Sequence, residues 1–83
     1  MTYCVYVLLC EDGSYYTGYT TSLQRRLMLH EKGRGAKYTR AHRAMKIVHA
    51  EYFETRREAM KRERQIKRLP RDRKKELFKL ELQ

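Results

Sequence analysis

Apolar and aromatic side chains are concentrated in three segments that predict β-strands. Every position from 3 to 10 is apolar or aromatic, which is typical of a strand buried on both faces. Glu11-Asp12-Gly13 follows, and Asp-Gly is a strong hairpin signal, so residues 14–19 are predicted to form the return strand. Residues 46–53 have the composition of a third strand. The chain is therefore predicted to begin with an antiparallel hairpin and to add a strand later.

A first helix is predicted directly after the hairpin. Thr21 and Gln24 have the spacing of a capping box, in which the two side chains bond to backbone N–H groups at the start of a helix. The helix is predicted to run to about Lys32, with Gly33 suited to its C-cap. Residues 34–45 have no clean periodicity and many basic side chains, which predicts a basic loop.

Two more helices are predicted in the second half of the chain. Thr55 and Glu58 form a second capping box, and the helix that begins there is predicted to end at about Arg68. Pro70 disfavours helical backbone in the residue before it and suits the first position of a last helix, near 70–81. The residues expected to pack this last helix are Leu77, Phe78 and Leu80.

The element order β-β-α-β-α-α defines the predicted fold class. A first strand that is apolar on both sides must be covered by helices on both faces, which indicates an α/β fold. We therefore expect a small three-stranded, antiparallel-type sheet flanked by helices. A chain of 83 residues allows a single domain, residues 1–83, with a core of about 3–69 and a C-terminal helix of about 70–81.

The charge of the chain favours polyanionic partners. Twenty Lys and Arg residues oppose ten Asp and Glu residues, which gives a net charge of +10. The distribution is uneven, because residues 1–20 contain no Lys or Arg whereas residues 56–75 contain eleven. Each phosphate that a basic side chain neutralises releases counterions, so such a surface binds nucleic acid well. A solvated helix surface alone does not account for this charge.

Cysteine use and hydropathy indicate a cytoplasmic protein. Cys4 and Cys10 would lie about 20 Å apart along one strand, too far for a disulfide, and both are predicted to be small buried side chains. No stretch approaches the roughly 20 apolar residues that span a bilayer, and no signal peptide is recognisable. We therefore expect a soluble, cytoplasmic location and no membrane partner.

The hairpin register decides which tyrosines can act together. A three-residue turn at positions 11–13, with Gly13 in a left-handed conformation, places Tyr6 opposite Gly18 and Leu8 opposite Tyr16. Tyr6 and Tyr16 then point to the same side of the sheet, and Gly18 leaves a gap beside Tyr6. A two-residue turn would separate the tyrosines onto opposite faces. Cross-strand aromatic packing is the alternative explanation for each tyrosine taken alone.

Three polar side chains on the predicted helices are further candidates. Arg26 lies one turn before His30, so both can reach the same point. Glu63 shares its helix side with Met60 and Ile66, where a carboxylate is costly unless it has a partner or a metal ion. A salt bridge to one of the many basic residues is the simpler explanation of Glu63.

These residues together resemble the GIY-YIG endonuclease family. The resemblance is carried by Val5-Tyr6, Tyr16-Thr17-Gly18, Arg26, His30 and Glu63. It covers residues 3 to about 69 and is nearest to the small, standalone bacterial members. The first glycine of the motif is Cys4 here and the isoleucine of its second half is Thr17, both at positions that are structural in the family. Glu58 lies on the same helix as Glu63, so the assignment of the glutamate stays open.

The resemblance implies hydrolysis of a phosphodiester bond with one divalent ion. Glu63 would hold Mg²⁺ or Mn²⁺, and Tyr6 would act as, or position, the general base for the attacking water. An unperturbed tyrosine is a poor base at neutral pH, so nearby cations are expected to lower its pKa. Arg26 would stabilise charge on the phosphate, and Tyr16 and His30 would orient the water or Tyr6.

The basic residues are expected to hold the nucleic-acid backbone. Contacts to phosphates set affinity rather than sequence choice. DNA is preferred over RNA as the expected partner, and a homodimer is left open. The residues assigned to backbone binding are Lys37, Arg40, Arg43, Arg56, Lys61, Arg64, Lys67 and Arg68.

Two other functions remain open from the sequence. A non-catalytic module on the same fold, which binds nucleic acid or a ribosome, fits the charge equally well. Its binding would depend steeply on salt but not on a divalent metal. A helical protein-interaction module that uses residues 55–82 would instead associate through apolar contacts that salt does not weaken.

Overall fold

The computed structural model describes residues 1–33 and 41–81, and within them the chain forms a three-stranded sheet with helices on both faces. Their order, β-β-α-β-α-α, and the α/β class are as the sequence predicts. The elements are β1 (Tyr3–Cys10), β2 (Tyr15–Thr20), α1 (Leu23–Glu31), β3 (Ala44–Phe53), α2 (Arg56–Arg68) and α3 (Arg71–Glu81).

β1 is the central strand of the sheet. The strand order is β2-β1-β3, and both neighbours run antiparallel to β1. Val5 and Tyr6 point to opposite faces and are both buried, which explains the unbroken apolar run in the sequence. β3 begins two residues earlier than predicted, because Ala44 still pairs with Cys10 at the end of β1. The rest of the predicted basic loop lies largely outside the described residues.

The hairpin has the three-residue turn that the sequence predicts. The Cys10 N–H donates to the Ser14 carbonyl at 2.8 Å, and the Gly13 N–H donates to the Cys10 carbonyl at 2.9 Å. Gly13 has φ +84°, a backbone conformation that residues other than glycine rarely adopt. Tyr6 consequently faces Gly18, as predicted.

Each face of the sheet carries its own apolar cluster. Val5, Val7 and Val48 pack on one face against residues of α2 and α3, among them Ile66 and Phe78. On the other face, the partly buried side chains packed against Cys4, Tyr6 and Leu8 include Leu23 and Leu27 of α1. The buried Phe78 and the partly buried Leu77 pack α3 against the sheet, as predicted. The Leu80 side chain is not among those that the structure describes.

The helix ends correct the sequence prediction in two places. The N-cap of α1 is Ser22 rather than Thr21, and its side chain makes no capping hydrogen bond. The hydroxyl oxygen of Thr20 instead accepts from the Ser22 N–H at 3.2 Å, because β2 extends to Thr20 and the chain turns immediately after it. Pro70 precedes α3 rather than beginning it, and its carbonyl accepts from the Lys74 N–H at 3.0 Å.

The second capping box forms as predicted. Thr55 accepts from the Glu58 N–H at 3.2 Å and donates its hydroxyl to the Glu58 carboxylate at 2.9 Å. Leu69 ends α2 in an extended conformation, as the following proline requires. Gly33 follows α1 with φ +72°, which suits its predicted place at the helix end.

Both cysteines are free and buried, in agreement with the prediction that they are small core residues. Among the residues that the structure describes, none of the helices is both long and apolar enough to cross a bilayer.

Candidate active site

The Tyr6 ring lies over Gly18 of the neighbouring strand. A Cβ atom built on Gly18 would stand 2.8 Å from the Tyr6 hydroxyl oxygen and 3.0 Å from Cζ. Atoms in a well-packed interior do not approach so closely, so a side chain at this position would displace the phenol. Glycine is therefore needed here for space, whereas at Gly13 it is needed for backbone conformation.

Tyr16 and His30 complete a buried aromatic cluster around Tyr6. The ring centroids of Tyr6 and Tyr16 are 6.2 Å apart, and those of Tyr16 and His30 are 5.6 Å apart. The Tyr6 hydroxyl oxygen and the Nε2 atom of His30 are within hydrogen-bond distance at 3.3 Å. Tyr6 is 1% exposed and His30 is 6% exposed. The structure thus brings together the two tyrosines and the histidine that the sequence selected.

α1 places His30 and Arg26 beside this cluster. Leu23 and Leu27 pack on the apolar residues of β1, and His30 follows Leu27 by three positions, on the same side of the helix. Arg26 lies one turn before His30 and is close enough for its positive charge to act on both His30 and Tyr6. The helical spacing read from the sequence therefore produces the expected proximity.

The acidity of Tyr6 differs from the expectation. Burial raises its pKa well above the ordinary value, and the neighbouring Tyr16 raises it further. The positive charge of Arg26 lowers the pKa, as predicted for a nearby cation, but this effect is smaller than that of burial. The predicted fall in the tyrosine pKa is therefore wrong, because the charge of a phenolate is poorly solvated at 1% exposure.

His30 is shifted in the direction that favours a neutral ring. Burial lowers its pKa, and the positive charge of Arg26 lowers it further. A neutral imidazole retains one ring nitrogen that can accept a proton. The cluster therefore combines a protonated phenol with a histidine that can serve as its proton acceptor.

Glu63 lies on α2, which packs on the opposite face of the sheet. Its side chain is 18% exposed and forms an ion pair with Lys67 at 3.1 Å. Its negative charge raises the pKa of Tyr6, as the weakest of the influences on that group. Glu58, the alternative glutamate, is exposed and is used by the cap at Thr55. The structure therefore favours Glu63 over Glu58, and it also contains the salt bridge that the sequence left open.

The chemistry of Glu63 fits one weakly held Mg²⁺ or Mn²⁺. Within residues 1–33 and 41–81, no three His, Cys, Asp or Glu side chains come together as a metal-binding group. Mg²⁺ is commonly bound through one or two carboxylates together with waters and substrate phosphates, so a single partly exposed carboxylate is a sufficient protein ligand.

The residues predicted to bind a nucleic-acid backbone are mostly on α2. Each of those on α2 is exposed, and Arg43, just before β3, is exposed with φ 54°. Lys37 and Arg40 lie outside the described residues. The α2 residues of this set are Arg56, Lys61, Arg64, Lys67 and Arg68.

Two concave surfaces were not recognised from the sequence. One, of about 260 Å³, lies at the start of α1. Its lining residues are Thr20, Thr21, Ser22, Arg25, Arg26 and Leu29. The other, of about 570 Å³, is lined by Arg56, Arg57, Met60 and Arg64 of α2. The helical spacing of Arg57, Met60 and Arg64 was a signal for the second surface, whereas the first depends on how β2 meets α1.

The fold and the cluster around Tyr6 define a class of nuclease-like domains. The family model described as the GIY-YIG catalytic domain matches residues 2–76. Members of this family are typically nucleases that act on nucleic acid and generally use a divalent metal. The chain belongs to the GIY-YIG family.

Within this family, the chain is similar to small proteins named UPF0213. A relative from Bacillus velezensis is 58% identical over 69 residues, which cover 83% of this chain and 70% of the relative. One from Halobacterium salinarum is 53% identical over 74 residues, which cover 89% of this chain and 96% of the relative.

Solved structures of similar proteins have the same fold. The solution NMR structure of the protein EF2693 from E. faecalis has a TM-score of 0.64 at 46% identity, covering 100% of this chain and 90% of that chain. That of the UPF0213 protein BH0048 from Bacillus halodurans has a TM-score of 0.62 at 45% identity, covering 96% of this chain and 85% of that chain.

Proposed function

We propose that this chain is a metal-dependent endonuclease that hydrolyses phosphodiester bonds of nucleic acid, DNA rather than RNA, in the cytoplasm. The observation that carries the proposal is the contact of 3.3 Å between the Tyr6 hydroxyl and Nε2 of His30, in a cluster that requires Gly18. A phenol, a neutral imidazole and a nearby arginine form a suitable set for proton transfer beside a phosphate. The proposed catalytic residues are Tyr6, Tyr16, Arg26, His30 and Glu63.

Tyr6 acts in this proposal by positioning the attacking water. Its raised pKa keeps the phenol protonated at neutral pH, so it does not remove a proton as a free phenolate. As the water attacks, its proton passes to the phenol oxygen while the phenol's own proton passes to Nε2 of His30, which the lowered pKa keeps neutral and able to accept it. Tyr16, which is in ring contact with both groups, holds them in register.

Arg26 stabilises the phosphate in the transition state. Its positive charge acts on the Tyr6 phenol, and its side chain also lines the concavity at the start of α1. A planar guanidinium can donate two hydrogen bonds to phosphate oxygens, and donors fixed before the reaction need no reorganisation. The partly buried position of Arg26 limits the competing access of water.

Glu63 is the proposed ligand of Mg²⁺ or Mn²⁺. The bound ion would supply Lewis-acid stabilisation of charge on the scissile phosphate and the leaving oxygen. Lys67 would compete with the ion for the Glu63 carboxylate, but only weakly, because the Lys67 side chain is 53% exposed and can be rehydrated. The basic residues of α2 then hold the backbone beside Glu63.

The decisive experiment is a nicking assay on supercoiled plasmid and on single-stranded DNA, with and without Mg²⁺ or Mn²⁺. We expect cleavage by the unmodified chain, and loss of at least about 100-fold for Glu63→Gln, in which the metal ligand is removed without a change in size. Glu76→Gln is the matched control, because Glu76 is an exposed carboxylate in an ion pair on α3. Equal cleavage by the two variants would refute the metal assignment.

The second candidate function is binding without catalysis. The ion pair between Glu63 and Lys67 and the raised pKa of Tyr6 are both compatible with a module that only binds nucleic acid or a ribosome. Such a module would bind with a steep dependence on salt and without requiring a divalent ion, and Glu63→Gln would not weaken that binding. A homodimer, which would allow both strands of a duplex to be cut, stays a prediction that sedimentation of the purified chain can test.

A further inference from the structure

The concavity on α2 has an arginine-rich wall and an apolar centre. Arg57, Met60 and Arg64 are spaced at i, i+3 and i+7, and Arg56 lies one turn before Met60, so the four side chains share one side of the helix. Together they line a concavity of about 570 Å³, and no acidic side chain is among its lining residues. Its charge is therefore complementary to a polyanion, while Met60 offers a polarisable apolar surface at its centre.

One of the guanidinium groups is already oriented. Nε of Arg56 donates to the Tyr19 hydroxyl at 3.0 Å, and the guanidinium lies 6.0 Å from the centroid of the Tyr19 ring. This pair of contacts directs Arg56 toward β2, at the residue that follows Gly18. An arginine that is held before binding loses less conformational entropy when it contacts a phosphate.

The concavity also lies beside Glu63, the proposed metal ligand. Met60 precedes Glu63 by three residues on α2, which corresponds to about 4.5 Å along the helix axis. Arg57 lies about 9 Å from Glu63 by the same measure. Successive phosphates of one duplex strand are about 3.4 Å apart along the axis, so these distances correspond to one to three nucleotides.

We propose that this concavity is a binding subsite for a sugar–phosphate unit of the nucleic-acid strand, one to three nucleotides from the bond at Glu63. The pre-oriented Arg56 contacts the phosphate together with Arg57 and Arg64, and the carbon face of the sugar rests on Met60. Arg57 and Met60 thereby gain a binding role next to Arg56 and Arg64. The inference rests on nucleic acid being the substrate of the proposed function, but it does not require that the chain cuts it.

Binding of a short oligodeoxynucleotide, measured in EDTA over a series of salt concentrations, tests the charged part of the subsite. Arg57→Ala is expected to lower affinity by roughly tenfold and to reduce the slope of log affinity against log salt by about one. The matched control is Arg73→Ala, which removes the same charge from an exposed residue of α3. Equal effects of the two variants would overturn the subsite, because they would show a response to net charge alone.

Methyl NMR of methionine-labelled protein tests the apolar part. The oligodeoxynucleotide is expected to shift the Met60 methyl resonance and to leave that of Met28, which is 50% exposed on α1, in place. Met60→Ala should weaken binding without a change in salt slope. An equal Met60 shift with inorganic phosphate would overturn the contact with the sugar, and a stronger shift with poly-glutamate would overturn nucleic acid as the occupant.

The outcome separates this inference from the proposed function. Binding with the Arg57 and Met60 effects but without plasmid nicking would support the subsite and refute the endonuclease. Nicking with no effect of either variant on binding would support the endonuclease and refute the subsite.

Discussion

The protein contains two buried histidines on opposite faces of its sheet, and their surroundings differ. His30, on the face covered by α1, contacts the Tyr6 hydroxyl and has the positive charge of Arg26 nearby. His49, on the face covered by α2 and α3, has Nε2 at 2.5 Å from the Glu51 carboxylate. Arg62 donates to both oxygens of the same carboxylate at 3.0 Å.

The difference separates a structural network from a chemical one. The His49 network ties β3 to α2 through a fully shared carboxylate, and such a set fixes the position of a helix on a sheet. In the His30 cluster, burial and the positive charge of Arg26 favour a neutral ring beside the Tyr6 phenol. We infer that the first serves the fold, and that only the second has the features of a proton-transfer site.

The largest expected effect is the loss of activity in Tyr6→Phe. Removal of the hydroxyl abolishes the contact with His30 and is expected to lower the nicking rate by at least about 100-fold. The free energy of unfolding should fall by only about 1 kcal/mol, the usual value of one hydrogen bond. Nicking and urea denaturation of the same preparation measure the two effects.

Tyr15→Phe is the control for this prediction. Tyr15 begins β2, after the hairpin turn, and points to the face of the sheet opposite to Tyr6. Its ring packs there against Phe78 at a centroid distance of 4.9 Å. Its activity should equal that of the unmodified chain. If Tyr6→Phe retained full nicking activity, the distinction between the two networks would lose its functional meaning.

The sequence predicted the His30 cluster better than the His49 network, for a physical reason. The cluster depends on local geometry, namely the turn ending in Gly13 and one helical turn between Arg26 and His30, and local spacing is readable from a sequence. The His49 network depends on how α2 packs across β3, which brings Arg62 to Glu51 over eleven residues of separation. No local pattern contains that information.

The chemistry of the cluster was harder to predict than its composition. A role for Tyr6 as a base required nearby cations to lower its pKa, but burial has the larger effect, and burial follows from the complete fold. Similarly, the sequence could select Glu63 but could not decide between a metal ligand and a salt bridge. Its contact with Lys67 follows from which side of α2 faces solvent.

The second prediction is a loss of stability in Glu51→Ala. The substitution leaves His49 buried and Arg62 partly buried without their shared carboxylate, which is expected to cost about 2 kcal/mol in the free energy of unfolding. Nicking per folded molecule should stay unchanged, because the side chains bonded to Glu51 are His49 and Arg62, and neither is a candidate catalytic residue. Glu54→Ala, at an exposed site just after β3, is the control and should be neutral. A selective loss of activity in Glu51→Ala would show that the two networks are coupled.

The third prediction concerns the dependence of stability on pH. Burial and the charge of Arg26 lower the pKa of His30 in the folded protein. The unfolded chain, in which the histidine has its ordinary pKa of about 6.5, therefore binds a proton on His30 more tightly than the folded protein does. The contribution of His30 to stability is complete above that pH and is lost as the pH falls through the lowered folded-state pKa.

Glu51 should affect the stability of the protein at a lower pH than His30 does. Burial opposes its ionisation, but the hydrogen bonds with Arg62 and His49 prevail and hold its pKa below the usual 4.5. Its contribution is therefore complete above that value and is lost as the pH falls through the lower folded-state pKa. Denaturation from neutral to acidic pH should show that His30→Gln removes only the upper part of the decline and Glu51→Gln only the lower part. A decline that His30→Gln leaves intact would contradict the assignment.

The smallest expected effect is that of Lys67→Ala, and it is the sharpest test of Glu63. Exposed ion pairs at i, i+4 contribute about 0.5 kcal/mol or less, so the stability of the protein should hardly change. If Glu63 holds the metal, however, Lys67 competes with the ion for the same carboxylate. Its removal should raise the affinity for Mn²⁺ by about twofold, which corresponds to a pair of about 0.5 kcal/mol.

Titration with Mn²⁺ in the absence of nucleic acid measures this effect apart from catalysis. Arg73→Ala breaks an exposed i, i+3 ion pair on α3 and should leave Mn²⁺ affinity unchanged. Glu63→Gln should abolish the binding that Lys67→Ala improves. If both Lys67→Ala and Glu63→Gln left the affinity unchanged, the carboxylate would be a salt-bridge partner and nothing more. Glu63 would then be a structural carboxylate like Glu51. The Tyr6–His30 contact would be the remaining feature that distinguishes the proposed active site from the structural network.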